Sequence, residues 1–131
     1  MISFKSLTRQ NEIGANSYLI KIDNKRILID AGMHPKVEGK ESLPDFSSII
    51  DDHIDAAILS HAHLDHSGSM PVIQRHYPEM PVMMTESTSA LAQALLHNSV
   101  NVMTSKRNEL GMDEYPFFTH KEIHKISKQW C

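Results

Sequence analysis

A short apolar run that leads directly into a cluster of metal-binding side chains constrains this chain more than any other feature. Residues 55–60, Asp-Ala-Ala-Ile-Leu-Ser, have the composition of a buried strand. Residues 61–66 follow as His-Ala-His-Leu-Asp-His, so four potential ligands lie in six positions. The pattern predicts that the cluster lies where a strand ends and the chain turns, a place that favours chemistry over packing.

The spacing within the cluster suits a pair of metal ions. Just past a strand the backbone is still extended, so His61 and His63 can point the same way. A turn at Leu64 would let Asp65 and His66 face a second ion. Imidazole nitrogen and carboxylate oxygen bind zinc at about 2.0–2.2 Å, and two metals about 3.5–4 Å apart can share a hydroxide. The spacing therefore favours a hydrolytic site.

A run of histidines also has simpler interpretations. It can be a solvated loop, a fortuitous metal trap, or a set of imidazoles bonded to carbonyls at the edge of a core. The chain has nine histidines, but the remaining six do not cluster in this way along the sequence. These six are His34, His53, His76, His97, His120 and His124. Because a buried strand leads into residues 61–66, we favour the metal site.

Two segments of the chain resemble a known family. Residues 61–66, together with Asp-Ala-Gly at 30–32 after the apolar run 26–30, are similar to motifs of the metallo-β-lactamase superfamily. The flanking residues 28–35 and 60–71 are similar to its RNA-processing branch. That branch includes the β-CASP ribonucleases and the cleavage and polyadenylation endonuclease. The resemblance spans nearly the whole chain, but its specific signal lies in these two segments.

The resemblance implies a role for each polar residue of the two motifs. His61 and His63 would bind a first zinc ion, and Asp65 and His66 a second. Asp65 would also accept a proton from the attacking water. Asp30 would support a ligand imidazole by accepting the hydrogen bond of its other ring nitrogen. An aspartate at a strand end can instead cap the turn that precedes a glycine, and this alternative stays open.

Each zinc would have only two protein ligands from this chain, fewer than the three of a typical catalytic zinc. The family completes its sites with a histidine and a bridging aspartate further downstream. His120 and His124 have the right chemistry, but Thr119 and Glu122 form a capping-box pattern, and apolar residues follow at helical spacing up to Trp130. We therefore predict that both histidines lie on a helix surface. The chain alone should bind zinc loosely and hydrolyse nucleic acid poorly or not at all.

The order of apolar runs and turn residues predicts a mixed α/β (α+β) architecture. Strands are expected at 2–7, 15–22, 26–30, 55–60 and 81–85, with one helical turn near 46–50. Helices are expected from Ser67 to Pro78, from Thr85 to about residue 108, and after Thr119. Hairpins followed by alternating strands and helices indicate a mixed sheet with helices on one face.

The resemblance implies that this sheet is the first half of an αββα sandwich. Residues 1–131 would then be the N-terminal part of a hydrolase domain, without its later ligand strands or any β-CASP module. The other face of the sheet would need the missing half or a second chain to cover it. We therefore expect self-association through that face.

Composition indicates a globular chain without an obvious nucleic-acid surface. Hydrophobic residues make up 40% of it, and its single cysteine, Cys131, suits a reducing compartment. No signal peptide or membrane-spanning run is evident, so we expect a cytoplasmic protein. The net charge is −3, and cations such as Lys36, Lys106 and Arg107 are scattered. RNA is therefore expected as the substrate from the motif flanks and not from electrostatics.

Together these features predict a zinc-dependent metallohydrolase, most similar to a ribonuclease that cleaves phosphodiesters with a metal-activated water. Two alternatives stay open. One keeps the metal site but acts on a small thioester, ester or lactone. The other is a non-catalytic half-domain that binds metal or a partner.

Overall fold

Five short strands form one mixed sheet in the order β1-β2-β3-β4-β5. The computed structural model describes residues 1–9 and 14–131. The strands β1, β2 and β3 pair antiparallel, whereas β3, β4 and β5 pair parallel. Their bounds are Ile2–Ser6 (β1), Tyr18–Ile22 (β2), Lys25–Ile29 (β3), Ala56–Ile58 (β4) and Val82–Met83 (β5). The mixed sheet predicted from the apolar runs is confirmed, with strands shorter than expected.

Four α-helices follow β4 along the chain. They are α1 (Leu64–Ser67), α2 (Met70–His76), α3 (Glu86–Leu110) and α4 (His120–Ser127), and two 3-10 turns at Gly39–Ser42 and Phe46–Ser48 precede β4. The expected start of the first helix at Ser67 is wrong. The chain is already helical at Leu64, stops at Ser67 and begins again after Ser69. Pro71 explains the break, because a proline inside a continuous helix would clash with the carbonyl four residues earlier.

Local capping residues set the ends of α3 and α4. The Thr85 side chain accepts a hydrogen bond from the Thr88 amide at the start of α3, and Gly111 ends this helix with a φ of 67°. The capping box of Thr119 and Glu122 is present at the start of α4, as expected.

Trp130 does not continue the helical face of α4, contrary to the expectation from its spacing. The helix ends at Ser127, and Trp130 forms a parallel bridge with Val82 at the edge of the sheet. The indole N–H of Trp130 donates to the Gln74 side-chain oxygen at 3.0 Å. The hydrogen bond to Gln74 and the bridge to Val82 stabilise this position of Trp130 more than another turn of helix α4 would.

One face of the sheet is buried under the helices. Register neighbours from β2 to β5 share this face and are between 0 and 7% exposed; they are Leu19, Leu28, Ala57 and Val82. Met70 and Ile73 of α2 and Ala92 of α3 belong to the same core cluster. A second cluster joins α3 to α4 through Leu96 and Ile123. Leu91 and Val102 of α3 are 51% and 43% exposed.

The opposite face of the sheet is open to solvent. Five of its apolar residues are between 36% and 74% exposed; we call Ile2, Phe4, Ile22, Ile58 and Met83 the open face. Because the helices pack only on the other side, the predicted arrangement of helices on one face is confirmed. Among the described residues no helix is both long and apolar enough to cross a bilayer.

Candidate metal centre

The backbone after β4 presents His61 and His63 on the same side. Ala62 between them is 4% exposed and faces the core, so the extended chain turns the two imidazoles outward. Their rings lie 5.2 Å apart in an edge-to-face arrangement. Helix α1 then begins at Leu64 and brings the Asp65 carboxylate back over them. One ligand atom from each of His61, His63 and Asp65 lies within 4.8 Å of the other two.

His66 lies beside these three residues. Its ring centre is 3.9 Å from that of His61, and its Nε2 is 3.5 Å from Asp65 Oδ2. The sequence analysis paired Asp65 with His66 on a second ion and left the first ion to the two earlier histidines. In the structure the Asp65 carboxylate lies near His61 and His63 as well as near His66. How the ligands divide between two ions therefore stays a prediction.

Asp30 connects the end of β3 to this cluster. Its side chain is 4% exposed, and its φ of 62° is unusual for a residue other than glycine. Oδ1 accepts from the Ser60 amide at 2.7 Å, and Oδ2 accepts from the Ser60 hydroxyl at 2.7 Å. Oδ2 also lies 2.7 Å from His66 Nδ1. The carboxylate thus reaches across to the ligand segment, and its effect on metal binding stays a prediction.

These contacts determine which nitrogen of each ring carries the proton. The Asp30 carboxylate can only accept, so His66 Nδ1 is the donor and the neutral ring keeps its lone pair on Nε2. The Ser60 hydroxyl donates its hydrogen to Asp30. Its oxygen therefore accepts a hydrogen bond from His61 Nδ1, 3.2 Å away. His61 also has its lone pair on Nε2. One buried carboxylate therefore fixes the tautomer of two imidazoles, directly for His66 and through Ser60 for His61.

Asn16 is a part of the site that the sequence analysis did not identify. Its side-chain amide, in a residue 7% exposed, donates to the Gly14 carbonyl at 3.0 Å and to the Asp65 carbonyl at 3.1 Å. The Tyr18 hydroxyl donates to its side-chain oxygen at 2.9 Å. Asn16 therefore fixes the backbone of Asp65. A polar residue just before an apolar strand was the only available signal.

Gly32 allows the loop after β3 to lie against α1. A Cβ atom at this position would be 1.8 Å from the Asp65 carbonyl oxygen and 2.9 Å from the Asn16 nitrogen. The Gly32 amide donates to the Asn16 carbonyl at 2.9 Å, and the Asn16 amide donates to the Asp65 carbonyl at 2.9 Å. Only glycine fits where these backbone segments approach one another so closely.

A groove of about 260 Å³ borders the cluster at Asp65. Its walls include Met33 and Lys106. The Lys106 ammonium group donates to the Glu38 carboxylate, and this contact lowers the pKa of Glu38 below its usual 4.5. The Tyr115 hydroxyl also donates to Glu38, at 2.8 Å, and burial raises the pKa of Tyr115. The cation in the groove wall is therefore already paired.

The donor set of the cluster fits a borderline divalent cation. It consists of imidazole nitrogens and carboxylate oxygen without any thiolate, and the rings of His61 and His66 carry their protons on Nδ1 and their lone pairs on Nε2. Zinc accepts this combination of donors, whereas magnesium and calcium prefer oxygen ligands alone. The residues present therefore suit the group that the sequence pattern implied.

A mixed sheet with helices on one face, and with imidazole and carboxylate donors at the ends of neighbouring strands, defines a metal-binding α/β protein. The chain belongs to the metallo-beta-lactamase superfamily, whose family model matches residues 11–114. The resemblance inferred from residues 28–35 and 60–71 is thereby confirmed.

Relatives with described activities are considerably longer than this chain. Endoribonuclease YSH1 of Saccharomyces cerevisiae is 32% identical over 123 residues, which cover 92% of this chain and 16% of that protein. Endoribonuclease YSH1 of Kluyveromyces lactis is 37% identical over 113 residues, covering 86% of this chain and 15% of that protein. Among solved structures, the Rm3 metallo-beta-lactamase aligns over 66% of this chain and 31% of its own, with a TM-score of 0.48 and 22% identity.

Proposed function

We propose that this chain is the N-terminal part of a zinc-dependent ribonuclease domain that hydrolyses phosphodiester bonds in RNA. The observation that carries the proposal is the convergence of His61, His63 and Asp65 within 4.8 Å of one another. The endoribonuclease relatives support RNA as the substrate, and the chain spans about a sixth of their length. The remaining ligands would come from parts of the domain outside residues 1–131.

Each residue of the cluster has a separate task in this proposal. His61, His63, Asp65 and His66 would hold the metal. A bound divalent metal would polarise the phosphoryl group and lower the pKa of the attacking water. The Asp65 carboxylate lies within 4.8 Å of a nitrogen of each outward imidazole and would accept the proton of the attacking water. Asp30 keeps Nε2 of His61 and of His66 free of protons, and Asn16 holds the backbone of Asp65 in place.

The groove beside Asp65 is where the RNA would lie. Its cation, Lys106, is paired with Glu38, and the whole chain has a net charge of −3. Attraction of the phosphate therefore depends on the metal rather than on a basic surface. This is the reason to expect that removal of the metal abolishes RNA binding as well as cleavage.

The experiment is to load the purified chain with zinc and to measure cleavage of a labelled RNA and of a chromogenic ester in parallel. Because the remaining ligands would lie outside residues 1–131, we expect at most slow RNA cleavage. Any cleavage above the protein-free rate should be lost with a chelator and in the variant His61→Gln/His63→Gln. The variant His53→Gln/His76→Gln, which changes two exposed histidines elsewhere, should cleave like the unchanged chain. Ester hydrolysis without RNA cleavage would support the small-molecule alternative and overturn the proposal. Tight zinc binding without turnover of either substrate would indicate the non-catalytic alternative.

A further inference from the structure

Three histidines that are far apart in sequence meet on the surface formed by α3 and α4. His97 of α3 stacks on His120 with ring centres 5.0 Å apart, and its ring centre is 4.9 Å from that of His124. His120 and His124 are one helical turn apart on α4. The sequence analysis placed both on a helix surface and treated the three as scattered, because nothing in the spacing shows that α3 lies alongside α4.

The hydrogen bonds of this trio determine where its lone pairs point. His120 Nε2 lies 3.1 Å from the Asn101 side-chain oxygen, which can only accept, so Nε2 carries the proton. The neutral His120 ring then has its lone pair on Nδ1. His97 Nδ1 lies 2.7 Å from that nitrogen and is therefore the donor between them. The lone pair of His120 is directed toward His97 and not toward solvent.

We propose that His97, His120 and His124 form a second binding site for a borderline divalent cation such as zinc, distinct from the cluster at residues 61–66. Among the described residues only His61, His63 and Asp65 bring three ligand atoms within 4.8 Å of one another, so the side chains of the trio would have to rotate before all three could hold one ion. Ligand histidines in metal sites usually donate their other ring N–H to an oxygen acceptor, and Asn101 does this for His120. Imidazole donors without carboxylates select zinc, nickel or copper(II) over magnesium and calcium. An ion that enters takes the place of the His97 Nδ1 proton, and the neutral ring then carries its proton on Nε2.

His97 lies against the rings of both other histidines. Burial lowers the pKa of His97 below its usual 6.5, and the neighbouring His120 and His124 lower it further. His120 lies in the first turn of α4, where the partial positive charge of the helix end opposes a cation. We accordingly expect micromolar rather than nanomolar affinity.

A cation held by these residues would join α3 to α4. The two helices already pack through Leu96, Val100 and Ile123 beneath the trio. A zinc ion held by residues of both helices would bind to the folded state and not to the unfolded chain. Zinc should therefore raise the melting temperature. The expected function is a structural clamp on this helix pair.

The test uses a His61→Gln/His63→Gln background, in which the candidate metal centre is removed. In that background we expect calorimetry to show one zinc ion per chain. Adding His97→Gln/His124→Gln should weaken binding by at least about tenfold, whereas adding His53→Gln/His76→Gln should leave it unchanged. Circular dichroism verifies folding, and His120→Gln alone provides a milder variant if the double change unfolds the chain.

Two results would overturn the second site. One is no zinc binding in the background at concentrations up to about 1 mM, and the other is equal affinity with and without His97 and His124. Because the background lacks His61 and His63, either result leaves the proposed ribonuclease function untouched. Zinc-dependent shifts of the ring signals of His97, His120 and His124 in nuclear magnetic resonance spectra would locate the ion independently.

Discussion

The carboxylate of Asp30 and the ring of His66 meet across 36 positions of sequence, with Oδ2 2.7 Å from Nδ1. Asp30 directly follows β3, whereas His66 lies in α1 beyond the end of β4. Since β3 and β4 are parallel neighbours, both chain segments leave the sheet at the same edge. The contact leaves His66 Nε2 without a proton. In the structure this nitrogen can accept from the Asn16 side-chain amide at 3.3 Å, a contact that a metal would replace.

Replacing Asp30 with asparagine should weaken zinc binding by about 10–100-fold. The amide keeps the shape of the side chain but has only one acceptor oxygen. Its NH2 group must therefore face either the Ser60 amide, or the Ser60 hydroxyl and His66 Nδ1, all of which donate to the carboxylate. Calorimetric titration of zinc into Asp30→Asn and the unchanged chain measures the difference. Asp23→Asn is a matched control, because Asp23 also has a positive φ, 53°, but is exposed in a hairpin turn. Equal zinc affinity in all three proteins would refute the role of Asp30.

Replacing Gly32 with alanine should destabilise the fold by about 3 kcal/mol, since the added methyl group must displace backbone. Its Cβ would lie 1.8 Å from the Asp65 carbonyl oxygen. Gly111→Ala is the control: its φ is 67°, but its Cβ would have no neighbour within 4 Å, so only the backbone preference is lost, about 1 kcal/mol. Urea unfolding measures both. Similar losses in the two variants would mean that Gly32 is not needed for close approach.

Stability should depend on pH through Glu38 below its usual pKa of 4.5. The hydrogen bond from Lys106 lowers the pKa of Glu38 in the folded chain, so the unfolded chain takes up the proton first as the pH falls. The contribution of Glu38 is therefore complete above pH 4.5 and disappears as the pH falls through its lower folded value. Because Glu38 is 40% exposed, the contribution is at most about 1 kcal/mol.

Thermal melts of Glu38→Gln against the unchanged chain test this dependence. The variant should melt at a lower temperature at neutral pH, and the two curves should converge as the pH falls below 4.5. Glu41→Gln, a change of an exposed glutamate in the same loop, should show no such convergence. A difference between Glu38→Gln and the unchanged chain that persists to acid pH would contradict the ion-pair explanation.

The open face should cause the isolated chain to self-associate at micromolar concentrations. Phe4 and Ile22 on this face are 64% and 41% exposed, and an apolar sheet surface of this kind is stabilised by contact with a second copy. Phe4→Lys/Ile22→Lys should give a monomer in sedimentation equilibrium. Leu91→Lys/Leu110→Lys, which changes exposed apolar residues of α3, should still associate. If the unchanged chain is a monomer, contact between two open faces does not stabilise a dimer, and the prediction is wrong.

Local sequence signals were sufficient for much of the fold. The strands follow from short apolar runs, and the starts of α3 and α4 follow from Thr85 and Thr119, because capping depends on residues within one turn. The outward orientation of His61 and His63 also follows from local geometry, since alternate residues of extended backbone share a side.

Contacts between distant segments were less predictable. The hydrogen bonds of Asn16 to Asp65, and of His97 to His120, depend on how a loop or a helix is placed on its neighbour. Periodicity identifies the packed face of a helix but not which residue of another helix it meets. Trp130 illustrates the same limit, because its position is decided by pairing with Val82 and not by helical spacing.

The most direct test of the metal centre is a crystal structure of the zinc-loaded chain with anomalous data collected at the zinc absorption edge. The account predicts an anomalous peak within about 2.2 Å of ring nitrogens of His61 and His63, with the Asp65 carboxylate beside it. A map without density among these residues, with their side chains turned apart into solvent, would contradict the assignment of a metal centre.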